Sequence, residues 1–205
     1  MPKVVASTSH SSLPKDMASL SLTDDKSHKA RLLLSKTKVA SLNGMTVPRT
    51  EMKGLIIATK LMDLSLASMR DLPSSVTFCL DSECTISAVD SDNGLLKPYF
   101  TNKRAVVKGK FQEWQQKYPE IDFEPLRHIA GNVNPADLHT RTNCTTKDVE
   151  KDTPWQKGPS FLKLPRDQWP VLKDFKMKIP EDKINKTTHE PVIQICHLKL
   201  KVSLV

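Results

Sequence analysis

Residues 77–85 read TFCLDSECT, and the rest of the chain is organised around them. Val76, Phe78 and Leu80 alternate with Thr77 and Cys79, the period-two pattern of a short half-buried strand. Asp81 ends that run. Ser82 then opens a short helix in which Ile86 and Val89 stand three residues apart. A carboxylate at the carboxyl end of a strand, where the chain changes direction, is placed to face solvent and a ligand. Asp before Ser is also ordinary N-terminal capping of a helix. Two other acids give the position weight: Glu51 in PRTE (48–51) and Asp137 in NVNPADLHTR (132–141).

Upstream of this stretch lies the longest helical signal in the chain. Pro48 sits where a helix can begin, and Glu51 falls in the first turn, where negative charge is favourable. Met52, Leu55, Ile56, Thr59, Met62, Leu66 and Met69 recur at three- and four-residue spacing, which predicts an apolar helical stripe to about Met69. Asp71-Leu72-Pro73 stops it. Earlier still, ARLLL (30–34) with SKTKVASL predicts a strand to about Val39, and Asn43-Gly44 is a turn signal. Residues 1–29 are rich in Ser, Lys and Asp and, apart from PKVVA, show no period. They predict a poorly ordered arm.

Downstream, SDNG (91–94) marks a loop, and a second amphipathic helix is expected from about Lys97 to Lys117. Phe100, Val107, Phe111 and Trp114 share one of its sides. Lys97, Lys103, Arg104, Lys108 and Lys110 load it with positive charge, which suits either a solvated face or one that contacts phosphates. IDFEPLRHI (121–129) reads as a strand that Pro125 demotes to an edge or bulged position. AGNVNPADLHTR is a loop turning into a helix, with Asn134 near the cap and Pro135 in the first turn. From Asn143 onward the chain is polar with isolated tryptophans, Trp155 and Trp169, as in an extended tail or linker. VIQICHLKLKVSLV at the end could form a strand. The expected division is therefore an arm (1–29), one domain (30–142) and a tail (143–205).

At 205 residues the chain can bury a real core, but only 5% of it is aromatic, so that core should be modest. A formal charge of +8 favours a polyanionic partner, nucleic acid ahead of a membrane surface. Cys79, Cys84, Cys144 and Cys196 form no CxxC pattern, which fits free thiols in a reducing compartment. No apolar run resembles a signal peptide or a membrane span. The expected location is intracellular, cytoplasm or nucleus, and not secreted.

Glu51, Asp81 and Asp137 could converge on one crevice. Three carboxylates close together repel one another, and a divalent cation is the simplest reason to tolerate that. Oxygen-only ligation suits magnesium or manganese and not zinc. Each acid could equally be a helix cap or a surface charge.

Three stretches in order, LLLSKTKVASLNGMTVPRTEMKGLIIATKL, CLDSECTISAV and RHIAGNVNPADLHTR, resemble the ribonuclease H region of a retroelement polyprotein of the Pao/BEL group. WQKGPSFLKLPRDQWP is similar to the segment that follows this region, before the integrase. The resemblance spans roughly residues 30–170. It implies a ribonuclease H-like fold, a mixed five-stranded sheet with packed helices. It implies four carboxylates around two metal ions that hydrolyse the RNA strand of an RNA–DNA hybrid. Glu51 matches the acid of the first long helix, Asp81 the acid ending the fourth strand, and Asp137 the acid opening the final helix. His128 matches the histidine near the last strand. Reverse transcriptase and integrase regions of a longer polyprotein are the implied partners.

The sequence departs from the family in one place. The first acid belongs in the first, central strand, and no Asp-Ala-Ser-like setting precedes the Leu-Leu-Leu strand. Asp16, in KDMAS, is only a faint echo, and Asp24 and Asp25 lie close before the next strand. A domain lacking its first two strands, with one ion or none and no activity of its own, is the expectation. The alternative is a non-catalytic nucleic-acid-binding module or a structural remnant of a retroelement.

Overall fold

Val4, Ala6, Ala18 and Leu20 are wholly buried, although the segments that carry them read as polar. They lie on two strands, β1 (Pro2–His10) and β2 (Lys15–Asp24), which pair antiparallel from Pro2 opposite Asp24 to His10 opposite Asp16. The structure, a computed structural model, describes residues 2–10, 15–24, 29–39, 46–90, 96–134, 136, 145–150 and 152–169.

The poorly ordered arm and the missing first two strands are therefore corrected. The cause is compositional. Eight of the nineteen residues in PKVVASTSH and KDMASLSLTD are Ser, Thr or Ala, whose hydropathy contrast is small, while Ser and Thr fit a pleated strand without difficulty. Pairing on both sides satisfies the amides of β1, which makes it central. The strand β3 (Lys29–Val39) pairs antiparallel with β2, and β4 (Ser75–Leu80) pairs parallel with β1. Asp16 and Asp24 both belong to β2, and Asp24 stands opposite Lys29 of β3.

Two further pieces, β5 (Asp122–Phe123) and β6 (Arg127–His128), both pair parallel with β4. They are one strand position interrupted at Pro125, which has no N–H to give to a ladder. The sheet order is β3-β2-β1-β4-β5, with β6 also on β4. Three antiparallel strands followed by parallel ones make a mixed sheet of five positions. Register aligns Leu34, Leu20, Ala6 and Phe78 in one row across it.

Helix α1 (Val47–Ser68) lies on that face and buries Met52, Leu55, Thr59, Met62 and Leu66, as the stripe predicts. Helix α2 (Glu83–Asp90) follows β4, and α3 (Pro98–Lys117) buries Val107 and Trp114. The Phe78 ring lies 5.1 Å from that of Phe111 and 6.0 Å from that of Trp114, and Trp114 stacks on Phe123 at 5.7 Å. The indole N–H of Trp114 donates to Asp63 Oδ1 at 2.6 Å, so α3 is tied to α1 by a part-buried polar contact and to β4 and β5 by its rings.

The opposite face of the sheet is covered too. Cys79, Ala30 and Ile129 pack with Phe161, Leu162 and Trp169. The expected tail is therefore part of the domain as far as Trp169. A short helix, α4 (Pro154–Lys157), buries Trp155 and ends at Gly158, whose φ is +69°. A Cβ at Gly158 would sit 3.0 Å from Leu162 Cδ1 and 3.4 Å from Ala30 Cβ, so the close approach and the positive φ both require glycine. With both faces covered, all six residues of β4 are buried, not the alternate ones alone. Among the described residues no helix is long and apolar enough to cross a membrane. The turn at Asn43-Gly44, the SDNG loop and VIQICHLKLKVSLV lie outside the described residues.

Candidate functional site

Strand β4 ends at Leu80 and leaves Asp81 half-buried at the sheet end. The next residue, Ser82, caps α2: the Thr85 N–H donates to Ser82 Oγ at 3.1 Å, and the Ile86 N–H to the Ser82 carbonyl at 3.2 Å. The same Ser82 hydroxyl donates to Glu51 Oε2 at 2.5 Å and lies 3.0 Å from Thr85 Oγ1. Glu51 comes from α1 and is only 7% exposed. Its burial pushes the carboxyl up to about 7, against the opposing pull of the Ser82 and Thr85 hydroxyls. Glu51 is thus held by the two hydroxyls that open α2.

His128 reaches the same end of the sheet by way of β6, where it stands opposite Leu80. The Ile129 N–H donates to the Leu80 carbonyl at 2.9 Å and fixes that pairing. His128 Nε2 lies 3.9 Å from Glu83 Oε1 in the first turn of α2. Asn134 is buried and accepts the Ala136 N–H at 3.0 Å, a local turn contact before the expected last helix. Asp137 itself lies outside the described residues.

The neighbouring strand decides what these groups can do. β1 runs parallel to β4, with Ser7 opposite Cys79 and Thr8 opposite Leu80. Along Pro2–His10 it carries no acidic residue. Among the described residues, no three His, Cys, Asp or Glu side chains come together where they could hold a metal ion. A hard cation takes six or more oxygen ligands, several of them carboxylate. Glu51, closed over by two hydroxyls, and Asp81 do not make a two-ion site. The described residues do not fit the implied magnesium or manganese pair.

The basic residues of α3 do not form one stripe. At about 100° per residue, Arg104 and Lys108 flank one side of the buried Val107–Trp114 line, and Lys103 and Lys110 flank the other. Lys110 Nζ is engaged by Asp63 Oδ2 at 3.1 Å and Glu113 Oε2 at 2.8 Å. Lys97 precedes the helix and lines a cleft of about 210 Å³ with Arg49, Thr46 and Cys84. Arg49 itself stacks over the Tyr99 ring at 5.0 Å. From sequence, Ser82 is expected only as the opening of a short helix, and Glu83 and Thr85 are not singled out. The Ser-x-x-Thr spacing at the start of α2 is the signal that could have found two of them.

Comparison with known families bears on this stretch directly. Residues 16–82 match the Pao retrotransposon-like RNaseH-like domain. The Pao match runs from β2 through β3, α1 and β4, so it contains Glu51 and Asp81. It leaves out β1, His128 and Asp137.

Solved structures similar to the chain include RNase H1 from the halophilic archaeon Halobacterium salinarum, at 13% identity and TM-score 0.44, over 62% of this chain and 86% of that one. LC11-RNase H1 in complex with an RNA/DNA hybrid is similar at 16% identity and TM-score 0.44, over 65% of this chain and 88% of that one. Prototype foamy virus protease-reverse transcriptase is similar at 17% identity and TM-score 0.38, over 71% of this chain and 18% of that one. No curated protein matches. The mixed strand order described above agrees with the RNaseH-like domain that the family match names.

Proposed function

We propose that this chain is a ribonuclease H-like segment of a Pao-type retroelement that holds an RNA–DNA hybrid, or another nucleic acid, without cutting it. The observation that carries this reading is the composition of β1: the central strand beside Asp81 has no carboxylate to offer. In-line hydrolysis by paired ions needs both ions held, and the absence of an acid from β1 removes one of the four implied ligands. The closed contact of Glu51 with Ser82 and Thr85 supports the same conclusion. The charge of +8 supports a polyanion as partner. An A-form duplex presents a wide minor groove with 2′-hydroxyls, which a surface of this kind reads by shape and backbone. Reverse transcriptase and integrase regions of a longer polyprotein are the expected neighbours, inside the cell.

Titrating a labelled hybrid with the purified chain at several salt concentrations tests the reading. Affinity should fall steeply with salt and be the same in magnesium as in chelator. Binding that appears only with magnesium would overturn the metal-free reading. Absence of binding at low salt would leave a structural remnant.

A further inference from the structure

Strand β3, KARLLLSKTKV, contains Lys29, Arg31, Lys36 and Lys38 and no acid, and all four side chains are exposed. In an unbroken strand, residues 29 and 31 would point away from 36 and 38, because side chains alternate with a period of two. The register with β2 is broken between Leu20 and Ser21: Leu20 stands opposite Leu34, and Ser21 opposite Leu32. Leu33 is the extra residue, and it is exposed. A bulge of one residue flips everything on one side of it to the other face.

The contacts agree with this shift. Ala30 packs on the Cys79 side of the sheet, whereas Leu34 packs on the α1 side. Lys29 and Arg31 therefore share the α1 side with Lys36 and Lys38. Over nine residue steps at about 3.3 Å the four cations span about 30 Å, close to nine base steps of a duplex. Register also places Lys36 in one row with Ala18, Thr8 and Leu80. At about 4.8 Å per strand, Lys36 is about 14 Å from the end of β4 and on the same end of the sheet as Asp81.

We infer that β3 is a second phosphate-contacting surface, a basic track along the sheet edge that continues the nucleic-acid path beyond the Asp81 end. Lys29 and Lys38 stand opposite Asp24 and Asp16 in the register with β2. Arg31 and Lys36 stand opposite Leu22 and Ala18, and they carry most of the contact. The inference rests on the nucleic-acid-binding reading above. Lysines also guard sheet edges against pairing with other chains, and that role would need no particular face.

Salt titrations of hybrid binding on the full chain separate these cases. The exchange Ser35→Lys with Lys36→Ser keeps the net charge and moves one cation to the opposite face. It should reduce the slope of log affinity against log salt by about 0.9, the value for one phosphate contact. Arg31→Ala with Lys36→Ala should reduce it by about 1.8. Circular dichroism spectra matching the wild type would show that each variant is folded. Arg104→Ala with Lys108→Ala on α3, the basic helix whose sequence also suits phosphate contact, serves as a reference. Wild-type binding with slopes unchanged in both β3 variants would overturn this inference alone. No salt-dependent binding by the wild type would overturn both it and the reading it rests on.

Discussion

The Ser82 hydroxyl donates to Glu51 Oε2 at 2.5 Å, and the same oxygen accepts the Thr85 N–H that opens α2. One serine thus caps a helix and occupies the acid that a metal site would use. Glu51 acts here as a brace between α1 and the end of β4. Its burial raises its pKa to about 7 from an ordinary 4.5, and the two hydroxyls oppose that rise.

That rise fixes the sign of a pH effect. Below about pH 4.5 Glu51 is protonated whether the chain is folded or not, and its burial costs nothing extra. Between about 4.5 and 7 the unfolded chain gives up the proton while the folded chain keeps it, so stability falls as pH rises. The loss is about 3 kcal/mol at most and is complete above pH 7. Urea unfolding of the wild type and Glu51→Gln across this window should diverge, the variant being the more stable at pH 8. Parallel curves would show that Glu51 ionises freely.

Divalent ions should leave the fold unaffected. A resident site in hundredfold excess of ion over its dissociation constant would add about 2.7 kcal/mol. Thermal unfolding in magnesium and in chelator should instead agree within about 0.5 kcal/mol, below the change that even modest occupancy of a specific site gives. A magnesium-dependent rise that Asp81→Asn removes would contradict this.

Trp169 closes the second face of the sheet. It meets Phe161 at 5.6 Å, covers the Arg127 guanidinium at 5.9 Å, and donates its indole N–H to the Leu164 carbonyl at 3.0 Å. Trp169→Ala should cost about 3–5 kcal/mol in urea unfolding, as for a large core side chain. A cost below about 1 kcal/mol would mean that residues 152–169 are an accessory to the domain and not its cover.

Asp63 is the polar anchor of α3. Asp63→Ala leaves the buried Trp114 N–H without its acceptor and should destabilise by about 1–3 kcal/mol. Lys110→Ala, at the exposed ion pair beside it, should cost less, because solvent screens that pair. Equal losses would assign the anchoring to the charge pair and not to the indole.

Much of this architecture is legible in the sequence, and the exceptions have physical causes. The α1 stripe and the β4 alternation are strong because Met, Leu, Ile and Phe contrast sharply with their neighbours. β1 and β2 escape notice because Ala6, Ala18 and the surrounding serines carry little contrast, and only pairing with β3 and β4 makes them strands. The even basic run of α3 reads as one surface until the 3.6-residue turn splits it around Val107 and Trp114. Trp169 looks isolated because its partners, Ala30, Cys79 and Ile129 among them, come from distant segments. Asp81 and Glu51 can be picked out as acids at element ends. The hydroxyl contacts that occupy Glu51 are tertiary, and no local pattern announces them.

In the proposed function this sheet holds nucleic acid and does not cut it. The most direct measurement is an RNA–DNA hybrid with its RNA strand labelled, incubated with the chain in magnesium and separately in manganese. The RNA should remain intact at protein concentrations that bind all of the hybrid. RNA fragments made by the wild type, and absent with Asp81→Asn prepared alongside, would contradict the account.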